Sequence, residues 1–158
     1  MIFLTYVNLH NDSKNRLEHI KSGDVGLDLR AYLEIDEIVL PPLCRVTVNT
    51  GVAIQFLDGL SDEPSVSHNY YAMVCPRSGL AEKYGVTVLN SPGIIDSGYT
   101  GEVKVILFNS SKKSFVIKHL DRIAQLVVVE KPKYAIVPVD YLKPTDRNDS
   151  GLGSTGIM

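Results

Sequence analysis

Turn-forming residues punctuate this chain at short intervals, with 12 Gly and 8 Pro spread over 158 residues. Proline breaks a helix interior and glycine weakens one, so a long helix has nowhere to form. That excludes an all-α fold. Between the turn signals lie short apolar and β-branched runs, at residues 1–7, 26–33, 35–40, 45–56, 70–75, 86–89, 102–108, 114–117, 123–130 and 134–139. The run RVTVNT at 45–50 alternates with period two and continues past Gly51 to Phe56, as a half-buried strand does. Only AEKY at 81–84 reads as helical, a turn or a little more. Many short strands at this spacing predict an all-β domain, a distorted jelly roll or barrel.

The length fits one domain, since folded units cluster near roughly 100–150 residues. Residues 1–141 read as the β-domain. Residues 142–158 read as a mobile arm, because KPTDRNDSGLGSTG at 143–156 has too little apolar surface to offset the entropy of ordering it. The net charge of −2 provides no global field for nucleic acid or an anionic membrane, and neither partner is expected. A polyanionic ligand must therefore be held by a few placed cations. The start lacks a basic signal-peptide region, and the longest aliphatic run, LVVV at 126–129, falls far short of the roughly 20 residues of a membrane span. Cys44 and Cys75 lie in apolar or β-rich stretches. They read as small buried hydrophobes in a reducing, cytoplasmic setting.

Five segments carry polar chemistry, and each has two readings. In GLDLRA at 26–31, Asp28 sits between apolar neighbours. It is either paired in the core or directed into a site, for instance toward Mg²⁺ through water. PRSGLA at 76–81 joins a strand to a helical turn. Arg77 and Ser78 either grip a phosphate there or serve as a solvated side chain and a helix cap. In GIIDSGYTGE at 93–102, turn signals at Pro92-Gly93 and Ser97-Gly98 predict a tight hairpin. Its main-chain groups, with the Asn90 amide at the entry, can pair with the edge of a flat heterocycle. Asp96 is either a turn former or a general base.

In RIAQL at 122–126, the amide of Gln125 needs a partner, structural or ligand. GLGSTG at 151–156 has the glycine spacing of a dinucleotide fingerprint, but only Ile157 and Met158 follow it. It therefore cannot open a helix in a βαβ unit. It is either a frayed end or an anion-binding nest, with Arg147 as a nearby cation. The four His lack zinc spacing, and the His-x-Glu…Pro-Cys-x-x-Cys pattern of zinc deaminases is absent.

Taken in order, these five segments resemble the five motifs of the trimeric dUTPases, and the resemblance spans residues 22–156. It implies a jelly-roll homotrimer with active sites at subunit interfaces. It also implies hydrolysis of dUTP to dUMP and pyrophosphate with Mg²⁺. Asp96 then corresponds to the residue that deprotonates the attacking water. Asn90 with Gly93, Ile94 and Ile95 would read uracil. Tyr99 would pack on the deoxyribose, and Lys104 would line the same pocket. Arg77, Ser78, Gly79 and Gln125 would hold phosphates, and Asp28 would hold waters of the Mg²⁺. Arg147 with Gly153, Ser154 and Thr155 would close over the γ-phosphate.

Two departures from the family pattern stand out. Leu152 replaces the usual aromatic of the C-terminal motif, which implies weaker stacking on uracil, and Gly98 stands where Asp is common. Residues 58–69 are longer than the family core requires and are either a bland loop or a protein-partner element. The alternatives are a dUTP-binding regulator acting through that loop, and a dCTP deaminase relative. The deaminases carry Arg-Ser-Ser where this chain has Arg77-Ser78-Gly79.

Overall fold

Strand β4, Arg45–Asp58, is 14 residues long and organises half of the fold. The structure is a computed structural model that describes residues 1–19, 21–59, 63–146 and 148. On one side β4 pairs antiparallel with β1 (Ile2–Asn8), from Ile2 opposite Asp58 to Asn8 opposite Val52. On the other it pairs with β9 (Glu102–Asn109), which in turn pairs with β7 (Val86–Val88). A two-residue strand, β5 (Ser65–Val66), caps the end of β4 within a stretch expected to be loop. The period-two pattern is explicit in β9, where Val103, Val105 and Leu107 are fully buried while Lys104 is exposed. Each such aliphatic side chain contributes about 1.5–3 kcal/mol on burial.

A second sheet runs β2-β11-β6-β8, built from Leu27–Arg30, Arg122–Glu130, Tyr70–Cys75 and Gly93–Ile95. A third, two-stranded sheet joins β3 (Glu37–Leu40) to β10 (Phe115–Lys118). The core lies between them and includes Leu29, Leu40, Phe56, Leu107, Ile117, Ile123 and Leu126. This is the expected all-β jelly-roll architecture.

The one helix among the described residues, α1 (Ser78–Tyr84), starts earlier than expected. Its N-cap is Arg77, which makes no side-chain capping bond, so Ser78 is the first helical residue and not the cap. Gly85 ends the helix at φ 65°, donating its N–H to the carbonyls of Ala81 and Leu80. Left-handed backbone of this kind suits glycine.

Three further expectations are corrected. The segment 93–102 is not a self-paired hairpin, because β8 pairs with β6 in the second sheet while the flanking β7 and β9 pair with each other in the first. Residues 134–139 form no strand, since no sheet edge is paired to them, and Tyr134, Ile136, Val137 and Val139 are exposed. Cys44 is exposed and Cys75 half-buried, both as free thiols. No helix among the described residues is long and apolar enough to cross a membrane.

Candidate active site

Pairing in the second sheet lines up three of the anticipated groups. Asp28 on β2 lies opposite Gln125 on β11, and Gln125 lies opposite Cys75 on β6, which leads into Arg77. The Asp28 carboxylate, 9% exposed, accepts from both flanking guanidinium groups. Its Oδ1 is 3.2 Å from Arg77 Nε, and its Oδ2 is 3.4 Å from Arg122 Nη1. Arg77 also donates through Nη1 to the Arg122 carbonyl at 3.1 Å. Of the two alternatives for Asp28, burial with charged partners is realised, and those partners belong to the same cavity.

Gln125 is braced rather than free. Its Nε2 donates to the Pro76 carbonyl at 2.9 Å, and its side chain lies across Gly26. A Cβ at Gly26 would fall 2.2 Å from Gln125 Oε1, so only glycine fits beneath the amide. Asp28, Arg77, Ser78, Gly79, Arg122 and Gln125 share a cavity of about 720 Å³. Lys21 and Lys83 also line it, so its wall is cationic although the chain is not. Arg122 was not anticipated as a site residue. The available signal was an arginine opening a strand that also carries an isolated amide.

A second cluster forms around β8. Because β8 ends its sheet, one of its edges has no neighbouring strand among the described residues, which leaves main-chain donors and acceptors on that side for a ligand. The Asn90 amide packs over Gly93, where a Cβ would meet Nδ2 at 3.2 Å. Asp96 follows the strand and is exposed, and its carbonyl accepts the Tyr99 N–H at 3.0 Å. Tyr99 is 45% exposed, with its hydroxyl donating to the Glu102 carbonyl at 2.9 Å. Lys104 lies on β9 with its side chain exposed.

The two clusters of one chain do not meet. Val74 pairs with Gly93; Arg77 lies three residues beyond the first and Asp96 three residues beyond the second, in the opposite direction. Roughly 20 Å of strand separates them. Neither Asn90, Asp96 nor Tyr99 lines the cationic cavity. Arg147, Leu152, Gly153, Ser154 and Thr155 lie outside the described residues.

Comparison with known proteins identifies the family and the fold. A family model described as dUTPase matches residues 13–156. The deoxyuridine 5'-triphosphate nucleotidohydrolase of Hydrogenobaculum sp. is 48% identical over 136 residues, covering 86% of each chain. That of Ehrlichia canis is 40% identical over 158 residues, covering 99% of this chain and 96% of its own. In fold, the chain is similar to a mutant Staphylococcus bacteriophage 80alpha dUTPase solved with dUpNHpp. The TM-score is 0.79 at 21% identity, with 98% and 99% of the two chains covered. This chain is a member of the dUTPase family.

Proposed function

We propose that the chain hydrolyses dUTP to dUMP and pyrophosphate, in a site completed by a second copy in a homotrimer. The observation that carries this reading is the edge of β8 that no described strand pairs, which offers both donors and acceptors and ends on an exposed carboxylate, Asp96. An edge of this kind pairs with uracil, with Asn90 beside it. Thymine is excluded by its methyl group and cytosine by mismatched donors and acceptors. Asp96 then takes a proton from water as the oxygen attacks the α-phosphorus. The bond from the α-phosphorus to the bridging oxygen breaks, and its electron pair leaves with pyrophosphate.

The triphosphate requires the cationic cavity. Since that cavity lies roughly 20 Å from Asp96 in the same chain, Arg77, Ser78, Gly79 and Gln125 serve a nucleotide whose base is held by a neighbouring subunit. The outer face of the second sheet supports assembly, for it carries Tyr71, Met73, Val127, Val129 and Ile94. The arm, residues 142–158, closes the site through Arg147 and residues 153–155 over the γ-phosphate.

Mg²⁺ is held by oxygen ligands and usually keeps several waters, taking one or two carboxylates and the substrate phosphates. No group of three or more His, Cys, Asp or Glu that could hold a metal exists among the described residues. A single buried carboxylate, Asp28, therefore fits an ion that arrives with the triphosphate and is held through water. When bound, Mg²⁺ neutralises part of the phosphate charge. Asp28 has a second task, orienting Arg77 and Arg122. The two free thiols fit a cytoplasmic setting.

A regulatory partner at residues 58–69 is a second reading favoured by one contact. His68 Nδ1 lies 3.2 Å from the Ser97 hydroxyl, beside Asp96, so the end of that excursion touches the base-reading segment.

The test is pyrophosphate release from dUTP, dTTP, dCTP and UTP in parallel, with and without Mg²⁺. Turnover restricted to dUTP is expected. Comparable rates on all four nucleotides overturn the reading.

A further inference from the structure

The Tyr99 ring is held from several sides by its own turn. Its phenol end lies against Gly101, where a Cβ would meet the ring's Oη, Cζ and Cε2 at 2.7, 2.8 and 3.1 Å. The hydroxyl is tied to the Glu102 carbonyl at 2.9 Å, and the main-chain N–H is tied to Asp96. Tyr99 is 45% exposed, so part of the residue stays open to a ligand.

Glu102 connects this clamp to the body of the fold. While its carbonyl holds the phenol, its carboxylate accepts the N–H of Gly51 at 2.7 Å. Gly51 lies in the irregular part of β4, between Asn49 and Ala53, where the register with β9 shifts. It adopts φ +66°, and a Cβ there would meet Asn15 Nδ2 at 2.9 Å and the Tyr32 ring at 3.1 Å. Its carbonyl accepts the Leu9 N–H at 2.8 Å, so both of its main-chain groups are committed. Asn15, 1% exposed, donates to the Thr50 carbonyl at 2.7 Å, and the Thr50 hydroxyl donates to Val103 at 2.6 Å. The bulge is hydrogen-bonded through Gly51, Thr50 and Asn15, and Glu102 links it to the Tyr99 turn.

We infer that Glu102 is a positioning residue for sugar selectivity: anchored on the Gly51 N–H, it fixes the Tyr99 ring on its Gly101 seat. The inference rests on the proposed function for its substrate, and takes the sugar to lie beside Tyr99 at the Asp96 end of β8; geometry supplies the support of the ring. A ring rejects a 2'-hydroxyl only if it cannot move aside. A ring whose support is loosened yields, and the ribonucleotide enters. Selectivity between bases is set elsewhere, on the β8 edge, and does not depend on this support.

The test compares Glu102→Gln and Glu102→Leu with the unaltered protein. Gln keeps an acceptor for Gly51 and is expected to retain the ratio of kcat/KM for dUTP over UTP. Leu has no acceptor, and the ratio is expected to fall by about tenfold or more, with discrimination against dTTP and dCTP retained. An unchanged ratio in Glu102→Leu overturns the inference, as does an equal loss of discrimination against all three competitors. A second readout needs no activity. In protein with ¹³C-labelled tyrosine, the nuclear Overhauser contact between the Tyr99 ring and the Gly101 α-protons is expected in the unaltered protein and in Glu102→Gln. It is expected to be lost in Glu102→Leu, and its persistence there refutes the inference. If the unaltered protein leaves dUTP intact, the proposed function falls, and the ring contact alone decides the role of Glu102.

Discussion

The Nε of Arg77 lies 3.2 Å from Oδ1 of Asp28, and the second oxygen of that carboxylate faces Arg122 at 3.4 Å. One nearly buried carboxylate thus spaces two guanidinium groups whose side chains remain 30% and 41% exposed, close enough to solvent to take a phosphate. Removing the carboxylate leaves two like charges facing each other. We predict that Asp28→Ala destabilises the fold by about 1–3 kcal/mol, the partial exposure of the arginines screening the effect. KM for the nucleotide should rise as well. Urea unfolding and steady-state kinetics check the two effects, and an unchanged KM contradicts the orienting role.

Gly26 tests the bracing of Gln125. A Cβ at 2.2 Å from Oε1 forces the amide to swing away, which is cheap because Oε1 ends a flexible side chain, while Gln125 Cβ at 3.1 Å has to give by only a few tenths of an ångström. Gly26→Ala is expected to change the unfolding free energy by less than about 1 kcal/mol. Activity should nevertheless fall by about tenfold through misplacement of a polar contact. Parallel losses of stability and activity point instead to a general packing defect.

Asp96 is assigned the proton of the attacking water. Asp96→Asn keeps the shape and the main-chain turn to Tyr99 but cannot accept that proton. A loss in kcat of roughly 10²–10⁴ is expected. Nucleotide affinity, measured by calorimetry, should change little. Full turnover in this variant removes Asp96 from the role.

The sequence made much of the architecture legible, and the exceptions share a cause. Strand β6 coincides with its expected range and β9 nearly so, because period-two burial is a local property of the chain. The segment 93–102 reads locally as a hairpin, but the partner of β8 is β6, some twenty residues earlier, and pairing across that distance leaves no local mark. Residues 134–139 have strand-like composition, but a strand also requires a neighbour. In the site, the polar residue types stood out as anomalies on apolar strands, which is how Asp28 and Gln125 were found. The glycines beneath Gln125 and Tyr99 did not, since a missing Cβ acquires meaning only when the side chain lying over it is known.

Asp12 gives a pH dependence of stability away from the site. Its carboxyl is held below its ordinary range, first by the Lys14 N–H at 2.9 Å, then by His119, with burial opposing. His119 accepts the Leu33 N–H on Nδ1, which leaves Nε2 to donate to Asp12 at 3.3 Å. A depressed folded-state pKa adds stability above the ordinary carboxyl value, and this is lost as pH falls through the folded value. Asp12→Ala is therefore expected to lower Tm at neutral pH, with the gap to the unaltered protein narrowing below about pH 4. Melting curves across that range check the prediction, and a gap that widens on acidification contradicts it.

Roughly 20 Å between Arg77 and Asp96 makes the strongest demand on assembly. If each site takes Arg77 from one subunit and Asp96 from another, a subunit lacking only Arg77 and one lacking only Asp96 can together form an intact site. We predict that Arg77→Ala and Asp96→Asn homotrimers are each strongly impaired, and that unfolding and refolding them as a mixture restores part of the activity. Mixing without exchange of subunits should restore none. A site contained within a single chain cannot be rescued this way, because every chain in the mixture carries a defect. Absence of activity in refolded, trimeric mixtures therefore places both groups in one subunit and removes the interfacial site.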